Sequence, residues 1–179
     1  MARHEFSPLT AASCHELKKI NFGHAEVDLF VQERAWHWKR ELLIQTWTLS
    51  REGELCGFIS FANSTIPAED SDRQLDTHGI TLYPAVQLSF IGVRPEMRGG
   101  GIGQRMIIQW MQSFAADNNK TGCRIVTVHA DAHLAKPFYK NKLGFEFISK
   151  PAKASPLDGG AKSCKMFRSL LPFRPLGSN

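Results

Sequence analysis

No stretch of this sequence is apolar for the roughly 20 residues a membrane-spanning helix needs. The first twenty residues alternate polar and apolar types without the apolar core of a secretory leader. A soluble, cytoplasmic protein without membrane contact is therefore expected. Cysteine is sparse: Cys14, Cys56, Cys123 and Cys164 are far apart, and none has the paired spacing of a zinc site or a thioredoxin-like motif. Reduced thiols and no metal centre are expected. There is no internal repeat, and 179 residues with 42% hydrophobic content suffice for one sizeable core but hardly for two. We read a single domain over residues 1–179, with a basic segment containing Pro and Gly from about residue 150. The excess of Lys and Arg (22) over Asp and Glu (17) gives a net charge of +5. That admits an anionic partner, either a phosphorylated cofactor or a nucleic acid, without choosing between them.

From His15 to Arg40, apolar residues such as Val27, Phe30, Val31 and Ala35 recur at helical spacing, and Gly23 interrupts before them, so two helices are expected. Ile44 to Ser50 and Leu55 to Ile66 are rich in β-branched and aromatic residues around the turn Arg51-Glu52-Gly53-Glu54, the pattern of a hairpin. Pro67 to Gly79 carries Glu69, Asp70, Asp72 and Asp76 and reads as an exposed acidic loop. Ala85 to Val93 reads as a strand, Pro95 to Gly101 as a turn, and Ile102 to Asn118 as a helix with Ile102, Met106, Trp110 and Phe114 on one face. Ile125 to Val128 is a short apolar strand, followed by a helical pattern through Tyr139 and Leu143 that Gly144 can close in a left-handed cap. Phe145 to Ile148 and Ser163 to Leu170 are the remaining strand candidates, and Pro172 and Pro175 end the pattern.

Arg98-Gly99-Gly100-Gly101-Ile102-Gly103 stands between a strand and an amphipathic helix. Three consecutive glycines let the backbone take positive φ and leave no side chain in the way of a ligand. The helix N-terminus adds unpaired N–H groups and partial positive charge, and Arg98 adds a full one, an arrangement suited to a pyrophosphate. The bland reading is a flexible glycine-rich loop. A Rossmann fingerprint fits poorly, because the glycine spacing is wrong and no acidic residue ends a second strand about 20 positions on. A P-loop also fits poorly, since no Gly-Lys-Ser/Thr follows.

The stretch Val93 to Gly103 resembles motif A of the GNAT-superfamily N-acetyltransferases, a Gln/Arg-x-x-Gly-x-Gly/Ala turn after a strand, with Arg98, Gly101 and Gly103 at its defining positions. Ala135-Lys136-Pro137-Phe138-Tyr139 and Leu143-Gly144-Phe145 resemble the family's Ala-x-x-Phe-Tyr and Gly-Phe signatures. The resemblance covers Ala85 to Ile148. It implies an α/β fold of the α+β type, a mixed sheet splayed open next to the motif A strand and flanked by helices, with acetyl-CoA in the cleft. By position, Ile91 and Val93 would offer backbone groups to the pantetheine arm. Arg98, Gly99, Gly100, Gly101, Ile102 and Gly103 would meet the pyrophosphate, and Gln104 and Asp131 would add cofactor contacts. Pro137 departs from the pattern, and it must sit in the first turn of its helix or break it.

The resemblance also makes Tyr139 the catalytic residue, its phenol donating to the departing CoA thiolate after direct attack by the amine in a ternary complex. Backbone N–H groups near Ile91 or Gly92 would polarise the carbonyl. The strand before motif A reads Gln87-Leu88-Ser89-Phe90 and supplies no carboxylate as a base, and Glu96 lies beyond it. An α-amine, with a pKa of about 7.7–8.0, needs less help than a lysine at about 10.4, so an α-amino acceptor is favoured. His129 or His133 could relay a proton through water.

Within the superfamily, Asn21 to Ala35 and Val128-His129-Ala130 before Phe138-Tyr139 look like the toxin-type branch that acetylates the α-amine of aminoacyl-tRNA. The branch's Cys-Gly before the N-terminal helix is absent. Lys136, Lys140, Lys142, Lys150 and the basic C-terminal segment suit a phosphate backbone. This branch implies an antitoxin partner, and dimers are common in the family. A small amine (polyamine or aminoglycoside) or a protein N-terminus is the alternative acceptor. A non-catalytic acetyl-CoA-binding module is a third reading, against which Tyr139 argues.

Overall fold

The structure, a computed structural model, describes residues 4–70, 79–117, 122–148 and 163–173. Strand β1 (His4–Pro8) pairs antiparallel with β2 (Gln45–Arg51), and the Phe6 ring stacks on Trp47 at 5.2 Å. Helix α1 (Ala11–Leu17) starts at a reciprocal cap: the Thr10 hydroxyl accepts from the Ser13 N–H at 3.1 Å, and the Ser13 hydroxyl accepts from the Thr10 N–H at 2.9 Å. Gly23, at φ +66°, breaks the chain before the second helix, as its position in the sequence implies. That helix runs as α2 (Ala25–Leu29), a π-helical segment (Phe30–Arg34) and α3 (Ala35–Arg40).

The hairpin follows as β2 and β3 (Glu54–Pro67), antiparallel, with Glu52 and Gly53 at positive φ in its turn. Pro67 thus ends a strand, and Ala68–Asp70 form a 3-10 turn where the sequence suggests open loop; Asp72 and Asp76 lie outside the described residues. After β4 (Leu82–Val93) come a second 3-10 turn (Pro95–Met97), α4 (Ile102–Asp117), β5 (Ile125–Asp131) and α5 (Ala132–Leu134). A π-helical segment (Ala135–Lys140) extends α5, and β6 (Glu146–Phe147) and β7 (Ser163–Ser169) complete the described strands. They form one open seven-stranded sheet in the order β1-β2-β3-β4-β5-β7-β6, and α4 lies in the chain between the neighbouring strands β4 and β5. No helix among the described residues is long and apolar enough to cross a membrane.

Two compact units divide the chain: Met1–Ala62 with Leu88–Trp110, and Asn63–Gln87 with Met111–Asn179. The first is built on aromatic rings. Phe30 stacks on Phe90 at 4.0 Å and on Phe58 at 5.8 Å, Phe22 meets Phe58 edge-on at 5.3 Å, and Trp110 of α4 stacks on Phe61. The second packs Ile66, Tyr83, Ala85, Ile125, Ile148 and Phe167 together. Met106, Ile107 and Met111 extend the apolar face of α4 and are fully buried.

Two glycines let β3 and β4 approach. A Cβ on Gly57 would overlap the Gly92 carbonyl oxygen, and one on Gly92 would lie 2.6 Å from the Phe58 ring and 2.8 Å from the Phe22 ring. The Gly57 obstacle is backbone and cannot rotate aside. Gly57→Ala is therefore expected to cost about 2 kcal/mol of stability in urea unfolding. Gly100→Ala, whose Cβ would meet only the Met97 oxygen at 3.8 Å, is expected to leave the fold unchanged.

Candidate active site

The expected cofactor residues of the first unit come together where β4 hands over to α4. Ile91 and Val93 end the strand half-buried, and the Arg94 N–H donates to the Cys56 carbonyl at 2.8 Å, keeping the strand paired to its last residue. Arg94 also pairs with Glu54. Pro95, with its fixed φ, starts the 3-10 turn, closed by the Met97 N–H on the Arg94 carbonyl at 2.9 Å. Gly99 and Gly101 then take φ of +83° and +75°, and a Cβ at either would meet open space. These two glycines are required by backbone conformation and not by crowding, and they leave the concave side of the turn clear.

The Gly101 carbonyl accepts from the Arg105 N–H at 2.9 Å, the first bond of α4. Helix geometry leaves the Ile102 and Gly103 amides without intrahelical acceptors. Sixteen residues of aligned peptide dipoles place partial positive charge at this end. This geometry fits a pyrophosphate. Arg98 is exposed, and its guanidinium is folded back: Nε donates to the Val93 carbonyl at 3.2 Å, and a terminal nitrogen donates to the Phe22 carbonyl. Its charge stays beside the turn while two of its five donors brace the turn against the strand.

In the second unit, β5 ends at Asp131, the residue before α5, and Tyr139 lies in the π-helical segment. Tyr139 is 5% exposed, its ring edge-on to Phe138 at 5.1 Å and to Phe145 at 5.7 Å. Burial, and then the Asp131 charge, push its phenol up to about 12. The phenol is thus protonated at neutral pH. The helix begins at Ala132, so Pro137 sits in its second turn and neither caps nor breaks it. The helix widens instead: the Asn141 N–H reaches the Lys136 carbonyl, five residues back, at 3.0 Å. The wider turn relieves the clash a proline ring makes with the carbonyl four residues earlier, and its missing N–H takes no place in the ladder.

Gly144, at φ +64°, closes this helix, as its place after Leu143 implies. Arg168 of β7 completes the cap by donating to the Leu143 carbonyl, with its guanidinium 4.6 Å from the Phe173 ring centroid. The sequence counts Arg168 only among the basic residues. Lys136, Lys140 and Lys142 are exposed along the same helix, and Lys140 lies 5.7 Å from the Phe147 ring. His129 stands opposite Lys165 on β7; partial burial of its ring, and then that lysine, push its pKa down. His133 is exposed. Lys150 and most of the basic segment lie outside the described residues. Among the described residues, no group of three His, Cys, Asp or Glu side chains is placed to hold a metal ion.

No curated protein matches the sequence. Among solved structures, a tyrosine-to-phenylalanine variant of KacT superposes with a TM-score of 0.77 at 15% identity, covering 96% of this chain and 97% of that one. AtaT complexed with acetyl-methionyl-tRNAfMet superposes at 0.75 with 17% identity, covering 93% and 95%. A tyrosine-to-phenylalanine variant of the AtaT toxin, bound to the C-terminus of the antitoxin AtaR and acetyl-CoA, superposes at 0.68 with 19% identity, covering 95% of each chain. At these identities the likeness establishes the shared fold. The family model of the acetyltransferase (GNAT) domain matches residues 43–147, from β2 through the glycine turn and Tyr139 to β6. That match spans more than half the sequence, and the chain belongs to the GNAT acetyltransferase family.

Proposed function

We propose that this acetyltransferase moves the acetyl group of acetyl-CoA to the α-amine of aminoacyl-tRNA, as a toxin-type member of its family. The observation that carries the choice of acceptor is β4. From Leu82 to Val93 it has no Asp or Glu to deprotonate an ammonium group, so an amine already partly neutral near pH 7 is the fitting nucleophile. The fold it shares with AtaT complexed with acetyl-methionyl-tRNAfMet supports the same reading.

On this reading, the amides of Gly99 to Gly103 and the charge of Arg98 hold the pyrophosphate, Gln104 adds a contact, and the β4 backbone at Ile91 and Val93 aligns the pantetheine arm. Acetyl-CoA supplies an activated acyl group whose leaving atom is a thiolate sulfur. As the amine nitrogen bonds to the acyl carbon, the carbon–sulfur bond breaks; the nitrogen loses one proton and the sulfur gains one. Tyr139 provides the proton at sulfur and is restored from the nitrogen side through solvent. Because its phenol is pushed to about 12, it does not ionise before the thioester opens. Asp131, at the end of β5, would add a further cofactor contact. Exposed Lys136, Lys140 and Lys142 would follow the tRNA backbone with a strong dependence on salt. The protein would work in the cytoplasm as a homodimer, restrained by an antitoxin.

Expression in a bacterial host is expected to arrest growth with the wild type and not with Tyr139→Phe at equal protein level. Harmless expression of the folded wild type sinks the toxin reading and leaves a small amine or a protein N-terminus as acceptor.

A further inference from the structure

Asp28 carries no role in the reading above, yet it closes a chain of hydrogen bonds that ends on the cofactor turn. It lies near the end of α2, and its carboxylate turns back over the start of that helix. Oδ1 accepts from the Phe22 N–H at 2.7 Å, and Oδ2 accepts from the His24 N–H at 3.2 Å. Between those amides the Gly23 N–H donates to the Asn21 side-chain oxygen at 2.8 Å, and Gly23 takes the left-handed conformation. The loop is thereby held at both flanks of one tight turn.

Its product is the position of Phe22. The ring packs edge-on against Phe58, over the space that Gly92 leaves in β4, and the residue is 1% exposed. The Phe22 carbonyl accepts from the Arg98 guanidinium, whose Nε is held by the Val93 carbonyl at the end of β4. Arg98 therefore bridges the strand before the glycine turn and a loop 76 residues earlier in the chain.

We propose that Asp28 is a positioning residue for acetyl-CoA binding: by fixing the Phe22 carbonyl it sets Arg98, and Arg98 sets the amides of Gly99 to Gly103. This rests on the reading of residues 98–103 as the pyrophosphate seat. Asp28 touches no substrate and acts only through Arg98.

Calorimetric titration of acetyl-CoA into the full chain tests it, with wild type, Asp28→Ala, Asp28→Asn, Arg98→Ala, the Asp28→Ala/Arg98→Ala double variant and Gly101→Val. All are measured at a temperature where melting curves show them folded. Asp28→Ala is expected to raise Kd about five- to tenfold, and to add less than about twofold in the Arg98→Ala background, since residues in one network are not additive. Asp28→Asn retains an acceptor for one amide but not both and is expected to fall between. If Asp28→Ala does not fold, the Asp28→Asn variant carries the cycle with Arg98→Ala. An unchanged Kd for the Asp28 variants, or fully additive losses in the cycle, overturns the proposal alone. Wild-type affinity in Gly101→Val overturns the reading of the turn on which it rests.

Discussion

Tyr139→Phe is expected to lower turnover by about 10² to 10³-fold, within the range that a positioned acid contributes, while acetyl-CoA affinity stays within about twofold. The substitution removes one oxygen and leaves the ring. Its packing on Phe138 and Phe145 does not depend on the hydroxyl, so the fold around it should persist. The separation of effects identifies the role: a donor that engages sulfur only as the carbon–sulfur bond breaks contributes to the transition state and not to ground-state binding. Equal losses in turnover and affinity would make Tyr139 a packing residue.

The pH profile supplies a second readout of the same prediction. Turnover is expected to rise through about pH 8 as the acceptor α-amine deprotonates, and to hold at pH 10. An unperturbed tyrosine would be half-ionised at pH 10, but burial and Asp131 push this one up to about 12, so its proton remains in place. A descending limb centred near pH 10 would show that the acid is another group or that the phenol is more open to solvent than the structure places it.

Gly101→Val is expected to reduce acetyl-CoA affinity by about 10- to 100-fold, the loss of one amide–phosphate bond at about 1.5–3 kcal/mol. A Cβ at Gly101 would meet no protein atom within 4 Å, so crowding at that carbon is not the cause. A β-branched residue at φ +75° is strained by about 1–3 kcal/mol. It can relieve that strain only by turning the peptide units whose N–H groups we propose to face the pyrophosphate. Gly100→Ala, outside the left-handed region, serves as the mild control, expected to weaken binding far less. Should both variants bind acetyl-CoA as the wild type does, the pyrophosphate lies elsewhere.

The strand, glycine turn and helix of residues 82–117 were legible because their signals are local: a β-rich run, Pro95, three glycines, and apolar residues four apart from Ile102 onward all fall within one segment. Gly144 was legible for the same reason. Pro137 was not, since a sequence pattern gives the periodicity of an α-helix and does not show where a helix widens to absorb a proline. Strand β1 was missed because His4–Pro8 carries one aromatic, Phe6, and no β-branched residue, and its strand character comes from pairing with β2 and from Phe6 on Trp47. Phe22, Asp28 and Arg168 matter through backbone carbonyls and amides that folding brings to them. Arg98 finds Phe22 at a separation of 76 residues, and Arg168 finds Leu143 at 25. Side-chain-to-backbone bonds of that span leave no periodic trace in the sequence.

The most direct test of acetyl transfer to aminoacyl-tRNA is incubation of the purified protein with labelled acetyl-CoA and charged tRNA, followed by mild alkaline cleavage of the aminoacyl ester. The expected result is label released as N-acetyl amino acid, from wild type and not from Tyr139→Phe. Label that never appears on charged tRNA, while a polyamine, an aminoglycoside or a peptide N-terminus is acetylated under the same conditions, would contradict the assigned acceptor.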